Sequence, residues 1–163
     1  IGRLLIPLFL FQKRTLASPM FFLSEYMEEH RELYYQRLRA IGSEGGWTAW
    51  VEFFLRAIEH QALANTVRVK GIRDLYNDMK TRVTEITHSQ YSPAILDAIF
   101  DHPIFQTADF CARSQIPQAT AKTVLKKLKD AGILRAIREA SGSRPAVLAF
   151  GELVNQAEGR KIL

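Results

Sequence analysis

Residues 118–131 divide cleanly between the two faces of a helix. The apolar residues recur at helical spacing and predict an inward face made of Ala121, Val124, Leu125, Leu128 and Ala131. The residues left outside are Thr120, Lys122, Thr123, Lys126, Lys127 and Lys129. Gly132 follows directly and is a favourable residue for ending a helix. The segment is therefore expected to cover a core with one side and to leave its basic side free.

The residues around this helix predict a winged helix-turn-helix. Two shorter helical patterns precede it, at 93–100 and 107–113, and 114–117 is a short turn. Two short apolar stretches follow it, at 133–139 and 144–150, and the Ser-Gly-Ser turn between them predicts a β-hairpin. Residues 152–158 are expected to form a closing helix. Three helices followed by a hairpin match the winged-helix plan.

The first half of the chain is helical by pattern, so the expected fold class is mainly α with one small β-hairpin. Apolar residues recur at helical spacing over 2–13, 21–40 and 47–87, with Pro7 inside the first segment and a turn at 43–46. Polar turn formers cluster at 88–93. The sequence therefore predicts two domains, a helical one over 1–88 and the winged helix over 89–163.

The third helix of the winged helix carries the strongest charge signal. Six basic residues and one acidic residue lie between Pro117 and Arg138, a local excess equal to the formal net charge of +5 of the whole chain. Glutamine and threonine at the start of such a helix can read base edges, and lysines along its side can contact phosphates. The predicted DNA-contacting residues are Gln118, Thr120, Lys122, Thr123, Lys126 and Lys127, with Arg144 at the tip of the wing.

Other classes of function receive less support from the composition. Cys111 is the only cysteine, which excludes a disulfide framework and fits a reducing, cytoplasmic compartment. The four histidines show no metal-ligand spacing, so no metal site is expected. The apolar run at 4–11 is too short to span a membrane. Two alternatives stay open: a wing that docks protein, and a transcriptional regulator whose helical half is a dimerisation domain.

The beginning of the chain resembles part of a known motif. Residues 1–8, IGRLLIPL, resemble the segment that completes the HxFxxGNGRxxR motif of Fic-domain proteins and continues into an apolar helix. Arg3 matches the final arginine of that motif. The resemblance continues through 22–26, 34–38 and 47–55 and covers essentially the whole chain, since bacterial members commonly carry a carboxy-terminal winged helix.

The resemblance implies a parent protein that transfers AMP from ATP to a hydroxyl of a target protein, with Mg²⁺ as cofactor. In that family the motif histidine is the general base, and the motif arginine contacts the nucleotide's terminal phosphates or an inhibitory glutamate. Only Arg3 carries over, so the expectation is that this chain holds no catalytic residue and no cofactor of its own. The chain has no initiator Met and opens in an apolar run, which predicts the carboxy-terminal part of a longer protein.

The apolar run also predicts self-association. Leu4, Leu5, Leu8, Phe9 and Phe11 would lose their covering if the chain were cut before them. The expected result is a homodimer through this patch.

Overall fold

The computed structural model describes residues 2–16, 23–141 and 144–163 of the chain. The described residues are mainly helical and include one small antiparallel sheet, which confirms the expected fold class. The elements in chain order are α1 (Gly2–Gln12), α2 (Ser24–Glu29), α3 (Arg31–Glu44), α4 (Trp47–Thr87), α5 (Ser92–Asp101), β1 (Ile104–Gln106), α6 (Thr107–Ser114), α7 (Gln118–Asp130), β2 (Arg135–Arg138), β3 (Val147–Ala149) and α8 (Gly151–Glu158).

The chain divides into two compact units, which we call unit 1 (Ile1–Val67) and unit 2 (Arg68–Leu163). The division lies inside α4, upstream of the boundary at 88–89 that the sequence suggests. The reason is the apolar face of the last turns of α4, where Leu75, Met79 and Val83 are buried in the core of unit 2. A polar turn marks the end of a helix, but the packing of side chains decides to which compact unit that helix belongs.

Unit 1 contains α1, α2, α3 and the first part of α4. Its buried cluster consists of Leu23, Met27 and Ala57, with partly buried aromatic and aliphatic side chains around it. The pattern over 21–40 forms two helices, α2 and α3, which meet at His30. Helix α3 extends through Glu44 into the expected turn and ends at Gly45, whose φ of 65° is left-handed. The sequence also predicts a break between helices at Ser18 and Pro19, and these two residues lie outside the described ranges.

Unit 2 surrounds one continuous core. The core side chains come from α4, α5, β1, α6, α7, the sheet and α8, and the largest fully buried ones are Phe110, Phe150, Met79, Ile95, Ile99, Leu128, Leu134 and Val83. Helix α5 begins with Pro93 in its first turn, where the missing N–H costs no hydrogen bond. Four of the five α7 residues that the sequence predicts to face inward, Ala121, Val124, Leu125 and Leu128, are buried in this core. The prediction for Ala131 is wrong: α7 ends at Asp130, and Ala131 is exposed.

The sheet of unit 2 has the strand order β1-β3-β2 and is antiparallel throughout. The expected hairpin is β2 and β3, with a register irregularity between Ala136 and Arg138. Strand β1 was not expected from the sequence. It has three residues, and its Phe105 lies opposite Leu148 of β3. A strand of three residues is too short to show an alternating apolar pattern, and it forms because it pairs with β3.

The turn between α6 and α7 is set by Gln115 and Ser114. Gln115 has a φ of 55° and ends α6 in the left-handed conformation. The Ser114 hydroxyl donates to the Phe110 carbonyl at 2.7 Å, and Ile116 N–H reaches the same hydroxyl at 3.4 Å. Buried Ile116 then fixes the turn to the core, and α7 begins at Gln118.

Candidate nucleic-acid interface

Helix α7 is held by a completely buried inner face. Ala121 and Leu128 have no exposed surface, and Val124 and Leu125 are nearly as well covered. Burying side chains of this size contributes about 1.5–3 kcal/mol for each large aliphatic residue. The orientation of α7 about its own axis is therefore fixed, and so is the set of residues that it presents to solvent.

The outward face of α7 is centred on Ala119, Thr123 and Lys126, all of which are exposed. Because successive helical residues turn by about 100°, Gln118 and Lys122 lie on one side of this centre. Thr120 lies on the opposite side and is half-buried. The predicted contact residues thus share α7, but they face three directions.

The lysines of α7 differ in whether their ammonium groups have hydrogen-bond or ion-pair partners. Among the described residues, Lys122 and Lys126 have no hydrogen-bond or ion-pair partner, whereas Lys129 Nζ lies 3.2 Å from Glu139 Oε1 in an exposed pair. Such pairs are weak in solvent, but they reduce the local positive charge. Lys122 and Lys126 are therefore the two α7 cations most available to a polyanion.

Lys127 has an unexpected structural role. Its Nζ donates to the Thr87 carbonyl at 2.9 Å, across forty residues of sequence. Thr87 is the last residue of α4, where the carbonyls have no partner inside the helix and the helix dipole is negative. One of the three ammonium N–H groups of Lys127 therefore caps α4, and two remain.

A groove adjoins this contact, and we call it the α4–α7 groove. Its volume is about 380 Å³, and its lining residues are Thr87, His88, Ser89, Ala119, Thr120, Thr123, Val124 and Lys127. Three of these residues, Thr120, Thr123 and Lys127, are members of the predicted interface. The groove joins the flank of α7 to the connection between α4 and α5.

The wing supplies a second basic position. Arg144 is exposed, and its backbone N–H and carbonyl exchange hydrogen bonds with Ser141 at 3.0 and 3.1 Å. Arg138 on β2 bonds the Pro145 carbonyl through Nη2 at 3.4 Å, which ties the two arms of the wing together. The predicted turn residues Gly142 and Ser143 lie outside the described residues. Arg144 is thus a solvent-facing cation near the end of the hairpin.

The net charge of the chain resides entirely in unit 2. Unit 2 has 15 Lys and Arg residues against 10 Asp and Glu, which leaves +5, and unit 1 has 7 of each sign. The unit that carries α7 and the wing therefore holds the whole formal positive excess of the chain.

The remaining predicted site lies at the start of the chain. Arg3 belongs to α1, but its side chain lies outside the described part of the structure. Within the described ranges, no three His, Cys, Asp or Glu side chains are close enough together to hold a metal ion. None of the helices in that part of the chain combines the length and apolarity needed to cross a membrane.

Ala119, His88 and Ser89 were missed by the sequence reasoning. Ala119 lies at the centre of the outward face, and counting helical positions from the buried residues would have placed it there. No pattern in the sequence could indicate His88 and Ser89, because they come from another segment and reach α7 only through the fold.

A search against models of known protein families finds no match to this chain.

Proposed function

We propose that unit 2 binds duplex DNA, with the outward face of α7 in the major groove and Arg144 at the backbone or in the neighbouring minor groove. The observation that carries the proposal is a pair of lysines, Lys122 and Lys126, which have no partner in the described part of the chain and lie on a helix whose opposite face is buried in the core. The location of the whole net charge in unit 2 supports the same function. A helix of this kind fits the major groove, which is about 12 Å wide.

The proposed roles follow from where the side chains lie. Thr123 and Ala119 occupy the centre of the outward face, and small side chains there can contact a thymine methyl group. The Thr123 hydroxyl donates to the Ala119 carbonyl at 3.1 Å, so its oxygen remains as an acceptor. Gln118 at the start of α7 is exposed and can pair with the edge of an adenine. Lys122, beside this centre, contacts a phosphate. Lys126, near the other end of the outward face, extends its long side chain from the centre to a second phosphate.

The test is the salt dependence of binding to a labelled random duplex, measured by fluorescence anisotropy. Each phosphate that a lysine neutralises adds about 0.9 to the slope of log K against log salt. Lys122→Ala and Lys126→Ala should each lower the magnitude of the slope by about this amount, and the double variant by about twice as much.

Lys70→Ala is the matched control, since Lys70 is an exposed lysine of unit 2 on α4. It should leave the slope unchanged. An absence of binding at low salt would remove the DNA proposal and favour a wing that docks protein. Equal effects of Lys70→Ala and Lys126→Ala would show attraction by net charge without a defined face.

We further propose that the intact protein is a Fic-type AMP transferase that uses ATP and Mg²⁺ and modifies a target protein. Arg3 lies in α1, and the motif that it resembles continues into an apolar helix, which supports this proposal. The gene sequence upstream of Ile1 tests this proposal. A His-x-Phe, two further residues and then Gly-Asn-Gly-Arg directly before Ile1 is the expected result, and its absence would leave unit 2 as part of a transcriptional regulator.

Self-association through α1 completes the proposal. Leu5, Leu8, Phe9 and Phe11 are all exposed, each by at least 45%. The side chain of Leu4, the fifth residue of the predicted patch, lies outside the described part of the structure. Exposed apolar side chains on one helix favour contact with a second apolar surface. The proposed partner is a second copy of the chain, as a homodimer.

A further inference from the structure

We infer that the α4–α7 groove binds one phosphate group, supplied by the DNA backbone that flanks α7. The inference rests on the proposed function for the source of the phosphate, but the chemistry of the groove stands on its own contacts. It adds His88 and Ser89, outside the helix-turn-helix, to the residues that contact the ligand.

The wall of the groove opposite α7 is rigid. The Thr87 hydroxyl donates to the Val83 carbonyl at 2.7 Å and lies 3.0 Å from Ser92 Oγ. The Ser92 hydroxyl also lies 2.6 Å from the Ser89 carbonyl. Thr87 and Ser92 are buried, so this network holds the connection between α4 and α5 in one conformation. Groups presented by that connection therefore need little reordering when they bind an anion.

Several lining groups have hydrogen-bond donors to offer. Ser89 Oγ accepts from Tyr91 N–H at 3.2 Å, which leaves the hydroxyl hydrogen of Ser89 available. The Thr120 hydroxyl has no hydrogen-bond partner within the described ranges. Lys127 retains two N–H groups beside its bond to Thr87. His88 is exposed, and its ring offers a further N–H.

The charge of the side chains that line the groove favours binding of an anion over a cation. Its lining contains a lysine and a histidine and, among the described residues, no carboxylate. Hydroxyl and ammonium donors around one tetrahedral oxyanion are the contacts that proteins make to nucleic-acid phosphates. Lys127 can serve both the Thr87 carbonyl and a phosphate oxygen because these acceptors use different hydrogens.

The place of the groove on α7 points to the backbone of duplex DNA as the source. The groove extends from the centre of the outward face, where Ala119 and Thr123 line it, to the flank of the helix that carries Thr120 and Lys127. When a helix lies in the major groove, its centre faces the bases and its flanks face the phosphates. One flank then uses Lys122, and the other uses the α4–α7 groove.

The experiment is a titration of the ¹⁵N-labelled chain with sodium phosphate and, separately, with sodium chloride at matched ionic strength, followed by amide chemical shifts. Phosphate, but not chloride, should shift the amides of His88, Ser89 and Thr120 in a saturable way. Thr120→Val removes one hydroxyl at constant shape and should weaken phosphate binding about tenfold. Thr84→Val, on the exposed side of α4, is the matched control and should bind phosphate like the unchanged chain.

A short random duplex is added in the second arm. The expected result is that it shifts the same amides and that phosphate competes with it. If phosphate shifts these amides and the duplex does not bind, the groove takes free phosphate and the DNA proposal falls. If the duplex binds through α7 while the groove amides respond to neither ligand, the phosphate site is wrong and the DNA proposal stands. Lys127→Met should also weaken phosphate binding. If Lys127→Met does not fold, the phosphate affinity of Thr120→Val alone tests the site.

Discussion

Unit 1 and unit 2 differ in how many of their apolar side chains are buried. Counted over the described residues, unit 2 buries 20 apolar side chains, and unit 1 buries four, which are Leu23, Met27, Phe53 and Ala57. The large exposed apolar residues have the reverse distribution, with 12 in unit 1 and four in unit 2. Unit 1 is also neutral, while unit 2 carries the net charge of +5.

The contrast indicates that the two units depend differently on partners. A unit with a continuous core can be stable alone, and its charged surface remains free for a polyanion. A neutral unit that exposes leucine, phenylalanine and tryptophan needs another apolar surface to cover it. The expected division is thus that unit 2 binds nucleic acid and unit 1 associates with protein.

The largest expected effect comes from separating the units. A chain that begins at Arg68 should unfold in one cooperative thermal transition, because it keeps every buried side chain of its core. A chain that begins at Ser89 loses Leu75, Met79 and Val83, each worth about 2–5 kcal/mol when truncated. Calorimetry on both should show a clear transition for the first and a much lower or absent one for the second.

Residues 1–67 expressed alone are the other half of this comparison. They should show helical circular dichroism, bind a hydrophobic dye and lack a cooperative transition. If the chain from Ser89 proves as stable as the chain from Arg68, the boundary at 88–89 suggested by the sequence is the functional one.

A matched pair of phenylalanines tests the contrast at single residues. Phe110 has no exposed surface, and Phe110→Ala should cost about 3–5 kcal/mol of unfolding free energy. Phe9 is 56% exposed, and Phe9→Ala should change stability by about 0.5 kcal/mol or less while shifting the chain from dimer toward monomer. Urea denaturation and light scattering at high concentration give the two readings. If the unchanged chain remains a monomer at high concentration, the proposed role of the exposed apolar residues of α1 in dimerisation is contradicted.

The smallest expected effect concerns the attachment of α4 to α5. The Tyr76 hydroxyl donates to Asp97 Oδ1 at 2.6 Å, and its ring meets Phe100 edge-on at 5.0 Å. Tyr76→Phe keeps the ring contact and removes the hydrogen bond, so it should cost about 1 kcal/mol or less.

The pH dependence of this difference has a defined sign. The hydrogen bond to Asp97, followed by desolvation and the carboxylate charge, raises the pKa of Tyr76 above its ordinary value of 10.0. The phenol therefore loses its proton more readily in the unfolded chain. The contribution of the bond is complete below about pH 10 and is lost as the pH rises through the folded-state pKa. Stability that differs between the chain and Tyr76→Phe only below neutral pH would contradict this assignment.

The sequence predicted α4 at its observed bounds and placed α5, α6 and α7 to within one or two residues. The reason is that each of these helices carries an apolar stripe of its own, and such a stripe needs no partner to be recognised. The two faces of α7 were predicted in the same way, except that Ala131, which was expected to face inward, is exposed just after the helix ends. Strand β1 was not predicted, because the three residues Ile104–Gln106 are too few to show an alternating pattern and the strand depends on pairing with β3.

The sequence by itself determined that the chain is mainly helical, which residues of α7 other than Ala131 face inward, and which basic side chains lie near its outward face. Only the tertiary structure decided that the last turns of α4 belong to unit 2, that Lys127 caps α4, and that His88 and Ser89 line a groove with Thr120. The spacing of apolar residues predicts which face of a single helix is buried. Contacts across forty positions exist only once the core has fixed where each helix ends.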